Sequence, residues 1–300
     1  MRRKDFLKLS SASLFLASLK SQGVNPIYLN YNYPENNSQY MGDFMAPKLN
    51  VVKVAFIGVG ARGSAHAKQI SAIEGTEVVA ICDLYEDLAE KSSQTCQEIG
   101  NGKRHKNITI YSGAENKWKA MLKEVKPDAV FISTNWDNHA PMAIETMKSG
   151  AHAFVEVPMA TTIDDLWEIV NTSEKTRKHC MMMENVNYGR DELMFLNMCR
   201  KGVIGEFLHA EAAYIHELRF QMKEEHRGTG SWRTHHYAKS KGNLYPTHGL
   251  GPVAQYMNLA RGDDNFNSIV SYSTPALGRK LYAEKNYNSN HKWNKLNFSN

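Results

Sequence analysis

Val51-Val52-Lys53-Val54-Ala55-Phe56-Ile57-Gly58-Val59-Gly60-Ala61-Arg62-Gly63 is the stretch that decides the fold of this chain. A short apolar run feeds a G-x-G-x-x-G turn at Gly58, Gly60 and Gly63, and a helical pattern follows. A second apolar run, Val78-Val79-Ala80-Ile81-Cys82, ends in Asp83, 20 residues past Gly63. Gly58 permits the tight turn, Gly60 lets backbone approach a pyrophosphate, and Gly63 lets the helix pack on the strand. The helix N-terminus offers unpaired N–H groups to phosphates. Asp83 at this spacing accepts hydrogen bonds from the adenosine ribose hydroxyls and repels a 2′-phosphate. The pattern therefore predicts a dinucleotide site that takes NAD rather than NADP.

Working outward, strand-like runs fall at 51–57, 77–82, 107–111, 129–133, 151–156 and 179–184. Helical patterns lie between them at 64–74, 86–99, 115–124, 139–149 and 163–178. This alternation predicts an α/β fold, a Rossmann doubly wound parallel sheet, over a domain at 50–185. Beyond residue 190 the pattern changes. A helix at 191–201 leads into a long alternating run at 205–218, then a polar, His- and Gly-rich loop at 220–245. These features predict an α+β substrate domain over 186–300 with an open mixed or antiparallel sheet. The Asn- and Lys-rich residues 286–300 lack a terminating element, so this domain is expected to be C-terminally incomplete.

With 300 residues, 42% hydrophobic and 22% charged, the chain is long enough for two globular domains. A net charge of +5, without a basic run interleaved with aromatics, argues against nucleic acid as a partner. The four cysteines show no C-x-x-C spacing and indicate neither a zinc site nor a disulfide framework. Cys82 and Cys180 sit in apolar runs and are expected to be small core residues.

The chain begins Met1-Arg2-Arg3-Lys4-Asp5-Phe6-Leu7-Lys8, and an apolar stretch at 9–19 follows that is too short to span a bilayer. The paired arginines resemble a twin-arginine export signal; a Sec signal or a plain basic terminus is the alternative. The expectation is a signal segment at 1–20 read by the twin-arginine export machinery, a linker at 21–49, no stable membrane span, and a periplasmic product. That route carries folded proteins, which suits a protein that must fold around NAD before export.

Ligands of open α/β sheets bind outside the carboxyl ends of the strands. Those ends carry Asp83, then Ser133-Thr134-Asn135-Trp136-Asp137-Asn138-His139, then Glu156-Val157-Pro158, then Glu184-Asn185. The second of these could line a nicotinamide ribose, or simply turn and cap a helix at Asp137 or Asn138. Pro158 holds the residue before it extended.

At these residues a family resemblance emerges. Residues 51–300 resemble the Gfo/Idh/MocA oxidoreductases, whose fifth strand ends in Glu-Lys-Pro. Here the motif is Glu156-Val157-Pro158, and a valine cannot move a proton, which counts against an ordinary sugar dehydrogenase. Within that superfamily the chain is similar to glycoside hydrolase family 109, the NAD-dependent α-N-acetylgalactosaminidases. The likeness rests on the paired arginines, Gly58-Val59-Gly60-Ala61-Arg62-Gly63, Glu156-Val157-Pro158, Met182 to Tyr188, Trp232-Arg233-Thr234 and Tyr245 to Pro252. Members of that family run longer than this chain.

The resemblance implies NAD contacts at Gly58, Gly60, Arg62, Gly63, Asp83, Trp136, Asp137, Asn138, His139, Glu156, Val157, Asn185 and Tyr245. It implies a sugar held by Tyr214, Arg233, Tyr245, Pro246, Thr247 and His248. The substrate implied is an α-N-acetylgalactosaminide, cleaved by transient C3 oxidation, elimination, water addition and re-reduction. NAD-dependent glycosidases are an exception to the paired-carboxylate scheme. The chemistry of the residues agrees: Arg233 can fork hydrogen bonds to hydroxyls or an acetamido carbonyl, and Tyr214 and Tyr245 join a flat apolar ring to a hydroxyl. Imidazole suits removal of a C3 hydroxyl proton, so His248 is the candidate base, with Tyr245 as a proton relay or C2 base. The segment at 245–248 is expected to open a helix with Thr247 as a cap, and His248 could instead only cap or pack.

Other polar residues carry less weight. His235 and His236 are expected to be solvated, His66 and His152 to be surface or packing residues. A metal held by His226, His235 and His236 lacks helical ligand spacing, so no metal is expected. Glu211 and Glu217 alternate toward one face and could reach the sugar. Two other function classes stay open: an NAD-dependent sugar dehydrogenase with its lysine lost or relocated, and a carbohydrate-binding protein with structural NAD. Self-association into a homo-oligomer is likewise open.

Overall fold

The computed structural model describes residues 40–298 apart from 43, 102, 241, 244 and 261–263. The twin-arginine segment at 1–20 and most of the linker at 21–49 lie outside the described residues. At the described end of that linker, Phe44 packs on His179, with ring centroids 5.1 Å apart, and the Arg177 guanidinium covers the Phe44 ring.

Six strands, β1 (Val52–Ile57), β2 (Thr76–Cys82), β3 (Thr109–Tyr111), β4 (Ala129–Ile132), β5 (His152–Val155) and β6 (Cys180–Met182), form one sheet in the order β3-β2-β1-β4-β5-β6. Every pairing is parallel. The crossovers are α1 (Ala61–Ser71), α2 (Glu86–Ile99), α3 (Lys117–Val125), α4 (Trp136–Lys148) and α5 (Ile163–Thr176). The expected doubly wound sheet is therefore present. The strand order reverses between β1 and β4, and a crevice opens at their carboxyl ends.

The central strands are apolar throughout because both of their faces are covered. All of β4 is buried, as are the last four residues of β1. Alternation divides β1 between two cores. Ala55 and Ile57 join Met121, Leu122, Ala143 and Met147 on one face. Val54 and Phe56 join Ala67, Ala89 and Cys96 on the other. On the second face Phe56, Phe131 and Phe154 stack across three neighbouring strands at 5.4 and 4.7 Å. Cys82 is buried in the core as expected, and burial pushes its thiol up to about 12. Cys180 is partly buried against the same core.

Beyond β6 the chain turns through a 3-10 segment, Asn185–Asn187, into α6 (Arg190–Arg200). Helices α7 (Thr229–Lys239), α8 (Thr247–Tyr256) and α9 (Leu277–Asn286) follow. A small core joins α7 and α9: Leu218, Met222, Tyr237, Ala283, Phe298 and fully buried Trp293, whose indole N–H donates to the Met222 carbonyl at 2.7 Å.

Two expectations change here. The run at 205–218 belongs to no helix or strand among the described residues, and no second sheet forms there. Alternation fixes which side chains share a face, but a strand exists only where a neighbour takes up its N–H and C=O groups. The run instead leaves Leu208 and Ile215 more than nine-tenths exposed. The supposed loop at 220–245 contains α7. Its Gly228 and Gly230 read as loop glycines, yet Gly230, Thr234 and Tyr237 form a buried stripe at helical spacing.

Candidate active site

The carboxyl ends of β1, β2, β4, β5 and β6 meet α7 and α8 at one crevice. Its floor is the glycine turn. Gly58 has φ +83°, and a Cβ there would stand 2.7 Å from the Ser133 carbonyl oxygen. A Cβ on Gly63 would stand 1.9 Å from the Gly58 carbonyl oxygen, so α1 could not pack on β1. Gly60 differs. A Cβ there would meet no protein atom within 4 Å. Protein packing therefore does not require glycine at 60, whereas close approach of a phosphate to bare backbone does. This cradle fits a dinucleotide pyrophosphate.

Asp83 closes the turn as well as following it. One carboxylate oxygen accepts the Val59 N–H at 2.7 Å and the other the Tyr85 N–H at 2.9 Å. Each oxygen keeps a further lone pair for a ribose hydroxyl. Past the end of β5, Glu156 receives the His66 Nε2–H at 2.6 Å, and the Arg62 guanidinium lies 3.6 Å away. Burial pushes the Glu156 carboxyl up, but the His66 hydrogen bond and the His66 and Arg62 charges outweigh it, leaving the carboxyl below its ordinary value. His66 is thus no mere surface residue. Only a contact across 90 positions reveals it.

Trp136 is buried at the start of α4 and forms an apolar wall with Val157 and Tyr245. Trp232, His236 and Tyr245 surround it at centroid distances of 5.1, 4.9 and 5.6 Å. His236 also faces Asp137 at 3.4 Å and is not the solvated residue expected. Asn138 donates its N–H to the Asn135 carbonyl in the first turn. His139 is buried with Nδ1 2.7 Å from the Pro158 carbonyl and Nε2 3.1 Å from that of Thr134. Its ring braces two loops and leaves no nitrogen free for a ligand. Asn185 stands exposed at the start of the 3-10 turn.

The second wall comes from α7, α8 and the irregular run at 205–218. His248 stacks on Tyr245 at 5.1 Å and 10°, and Tyr214 closes against both at 5.1 and 5.3 Å. Arg233 holds its guanidinium 5.2–5.4 Å from the rings of Trp136, Trp232 and Tyr245. Pro246 precedes α8, which starts at Thr247 as expected, but the Thr247 hydroxyl is buried without a partner and caps nothing. A Cβ on Gly251 would stand 2.7 Å from the Asn187 amide nitrogen, so α8 lies close against the 3-10 turn and a larger residue there would displace that side chain.

That approach creates the central feature. His248 Nδ1–H donates to Glu184 Oε1 at 2.6 Å, and Glu184 is 1% exposed. A carboxylate can only accept, so the pair fixes the imidazole proton on Nδ1 and leaves the Nε2 lone pair toward the crevice. Glu184 Oε1 also accepts the Val186 N–H, while Oε2 has no partner. Ser133 Oγ, Asn135 Oδ1, Asn187 Oδ1 and Arg233 Nε are likewise buried and unpartnered. Orphaned polar atoms gathered at one crevice mark a place built for a ligand or ordered water. Sequence reasoning put Glu184 at a strand end without a role; its signal was a carboxylate closing an apolar strand.

Burial pushes the Tyr245 phenol up to about 12 and raises that of Tyr214. Both hydroxyls keep their protons at neutral pH and act as donors. Glu211 and Glu217 are exposed, and Glu217 is tied to Arg219. His226, His235 and His236 have separate neighbours, and no group of three metal-ligating side chains gathers among the described residues. No helix among the described residues is long and apolar enough to cross a membrane.

Residues 52–184 match the family model described as "Oxidoreductase family, NAD-binding Rossmann fold", and residues 188–300 match "Glycosyl hydrolase 109, C-terminal domain". A relative from Akkermansia muciniphila, "Glycosyl hydrolase family 109 protein 1", is 62% identical over 260 residues, covering 87% of this chain and 53% of its own length. A family 109 protein from Shewanella pealeana is 50% identical over 303 residues, covering all of this chain and 64% of its own. The chain thus spans between half and two thirds of the length of these relatives. Among solved structures, scyllo-inositol dehydrogenase from Lactobacillus casei with NAD(H) and scyllo-inositol matches at TM-score 0.55 and 14% identity, covering 69% of this chain and 56% of that one. Myo-inositol 2-dehydrogenase from Lactobacillus plantarum also gives 0.55, at 19% identity with coverage of 69% and 57%. These two establish a shared fold. The matched sequence over both halves, resting on a dinucleotide cradle that the geometry supports, means that this chain belongs to glycosyl hydrolase family 109, built on a Gfo/Idh/MocA NAD-binding Rossmann domain.

Proposed function

We propose that this chain carries the active site of a glycosidase that releases terminal α-linked N-acetylgalactosamine with NAD, by transient C3 oxidation, elimination, water addition and re-reduction. The single observation that carries the proposal is the Glu184–His248 pair, which presents a free Nε2 inside an aromatic wall beside the dinucleotide cradle.

When bound, NAD supplies hydride acceptance at sugar C3 and its later return. The remaining work falls to the chain. His248 Nε2 takes the C3 hydroxyl proton, and the Glu184 carboxylate stabilises the imidazolium that results. No proton carrier stands at position 157, where Val157 packs into the apolar wall, so His248 takes that duty. Tyr214, only partly buried, presents its ring face and hydroxyl to the pyranose, while buried Tyr245 backs that wall with His248 stacked on its ring. With its phenol near 12, Tyr245 serves as a donor or relay rather than as the resting base at C2. Arg233 offers a fork of N–H donors suited to hydroxyls or an acetamido carbonyl. The relatives' family name supports hydrolysis as the net reaction.

The test is NMR of the sugar released from an aryl α-N-acetylgalactosaminide in D₂O, with NADH absorbance recorded alongside. Deuterium at C2 without net NADH is expected. Accumulating NADH with an intact glycosidic bond would replace this proposal with a sugar dehydrogenase. Export to the periplasm by the twin-arginine machinery is part of the same proposal and rests on Arg2-Arg3 before an apolar stretch. Replacing both arginines with lysine should retain the protein in the cytoplasm on fractionation, and unchanged export would exclude that route.

A further inference from the structure

Next to the crevice lies a second cavity of about 190 Å³, walled by Tyr214, Leu218, Tyr237, Ser240, Tyr245 and Arg279. It shares Tyr214 and Tyr245 with the active site, so a group that projects past those two rings enters it. Its size decides what it can take. Pockets for whole small-molecule ligands run to roughly 300–1,000 Å³, so this one suits a substituent, not a further sugar ring.

The chemistry of the cavity is set by Arg279. Its guanidinium stacks on the Tyr237 ring, with Cζ 3.4 Å from the centroid. The side chain is half-buried and Nε is buried with no hydrogen-bond partner. No carboxylate lies within ion-pair distance of it among the described residues. Glu217 lies outside the walls of this cavity and already takes the Arg219 N–H and guanidinium. Burial lowers the Arg279 pKa from its ordinary value, and the neighbouring Tyr237 and the charge of Glu217 offset this only in part. A half-buried arginine held flat against an aromatic ring, with donors to spare, is built for a planar or forked oxyanion.

We propose that Arg279 forms a subsite for an oxyanion, a carboxylate or a sulfate ester, carried on the glycan beside the sugar that is cleaved. This inference rests on the glycosidase proposal for its substrate but not for the existence of the anion site. Ordinary neutral glycans leave the buried Arg279 Nε–H without a charged partner, whereas acidic ones gain a charge-assisted hydrogen bond that exists only in the complex.

The experiment compares kcat/KM of the NAD-loaded full chain on three α-N-acetylgalactosaminides with 4-carboxyphenyl, 4-sulfooxyphenyl and neutral 4-carbamoylphenyl leaving groups. About a tenfold preference for at least one anionic substrate over the neutral one is expected, falling at high salt. The larger of the two preferences identifies the substituent. Arg279→Gln should bring the ratios to near one, and Arg279→Lys should keep part of them. Equal rates for all three substrates in the parent protein, or a preference that survives Arg279→Gln, would overturn the subsite. A second measurement is independent of turnover: phenyl sulfate and, separately, benzoate titrated into ¹⁵N-arginine-labelled protein. A saturable shift of the Arg279 Nε–H resonance supports the site even if no glycoside is cleaved, which would count against the glycosidase proposal alone. No shift with either anion at tens of millimolar overturns the site whatever the glycosides do.

Discussion

Replacing Glu184 by Gln keeps the shape at the His248 contact and removes the charge. The amide oxygen can still accept the Nδ1–H, but the 2.6 Å charge-assisted bond becomes a neutral one. Hydrogen bonds to charged groups contribute about 1.5–3 kcal/mol against about 0.5–1.5 kcal/mol for neutral pairs, a difference of about 1–2 kcal/mol. If that difference is expressed only when His248 becomes an imidazolium, kcat falls by about fivefold to thirtyfold while KM stays within about twofold. If the amide turns its NH₂ toward Nδ1, the wrong tautomer forms and the loss is far larger. Stability should move differently. Glu184 is almost fully buried and its Oε2 has no partner, so burying a neutral amide there costs less than burying a carboxylate. Tm should hold or rise while turnover falls, the pattern of a site that sacrifices stability for function. The assay is release of 4-nitrophenol from its α-N-acetylgalactosaminide, beside a thermal melt of the same NAD-loaded preparation. Turnover within twofold of the parent, or activity and Tm falling together, would refute the positioning role and leave Glu184 as a structural residue.

The glycine turn predicts a contrast between two substitutions. Gly63→Ala drives a Cβ against the Gly58 carbonyl and should destabilise the protein with or without NAD, whereas Gly60→Ala should leave the NAD-free Tm unchanged and abolish its rise on adding NAD. Equal effects on the NAD-free protein would show that the cradle is read wrongly. At the end of β5, Glu156 has its carboxyl held below the ordinary value, so its contribution is full above the unfolded carboxylate pKa and lost as pH falls through the lowered folded one. The Tm gap between parent and Glu156→Gln should therefore be present at pH 7 and close toward pH ~3, and a gap independent of pH would sink the assignment. Val157→Lys would bury an ammonium among Trp136 and Tyr245 and should cost about 2–4 kcal/mol in denaturant melts, with no dehydrogenase activity gained. A stable Val157→Lys variant that accumulates NADH would show that the wall tolerates the lysine of the wider superfamily.

Sequence alone determined the Rossmann half because its signals are local. The apolar runs of β1, β2 and β4, the glycine turn, and Asp83 at the end of β2 each lie within one strand–turn–helix segment, and parallel strands buried on both faces have no other pattern available. The start of α8 at Thr247 was likewise legible, from the local Tyr245-Pro246-Thr247-His248 segment. What sequence could not determine depends on partners far along the chain. Glu184 and His248 are 64 positions apart, His66 and Glu156 are 90 apart, and neither pairing leaves a trace in spacing. Alternation at 205–218 suggested a strand but could not say whether a neighbouring strand takes up the backbone, and none does among the described residues. Gly228 and Gly230 hid α7, which packing of Thr234 and Tyr237 stabilises despite poor propensity. Propensity and periodicity act within one element, whereas hydrogen bonds and close approaches between elements exist only once the chain has folded, so the active-site pairings were left to tertiary structure.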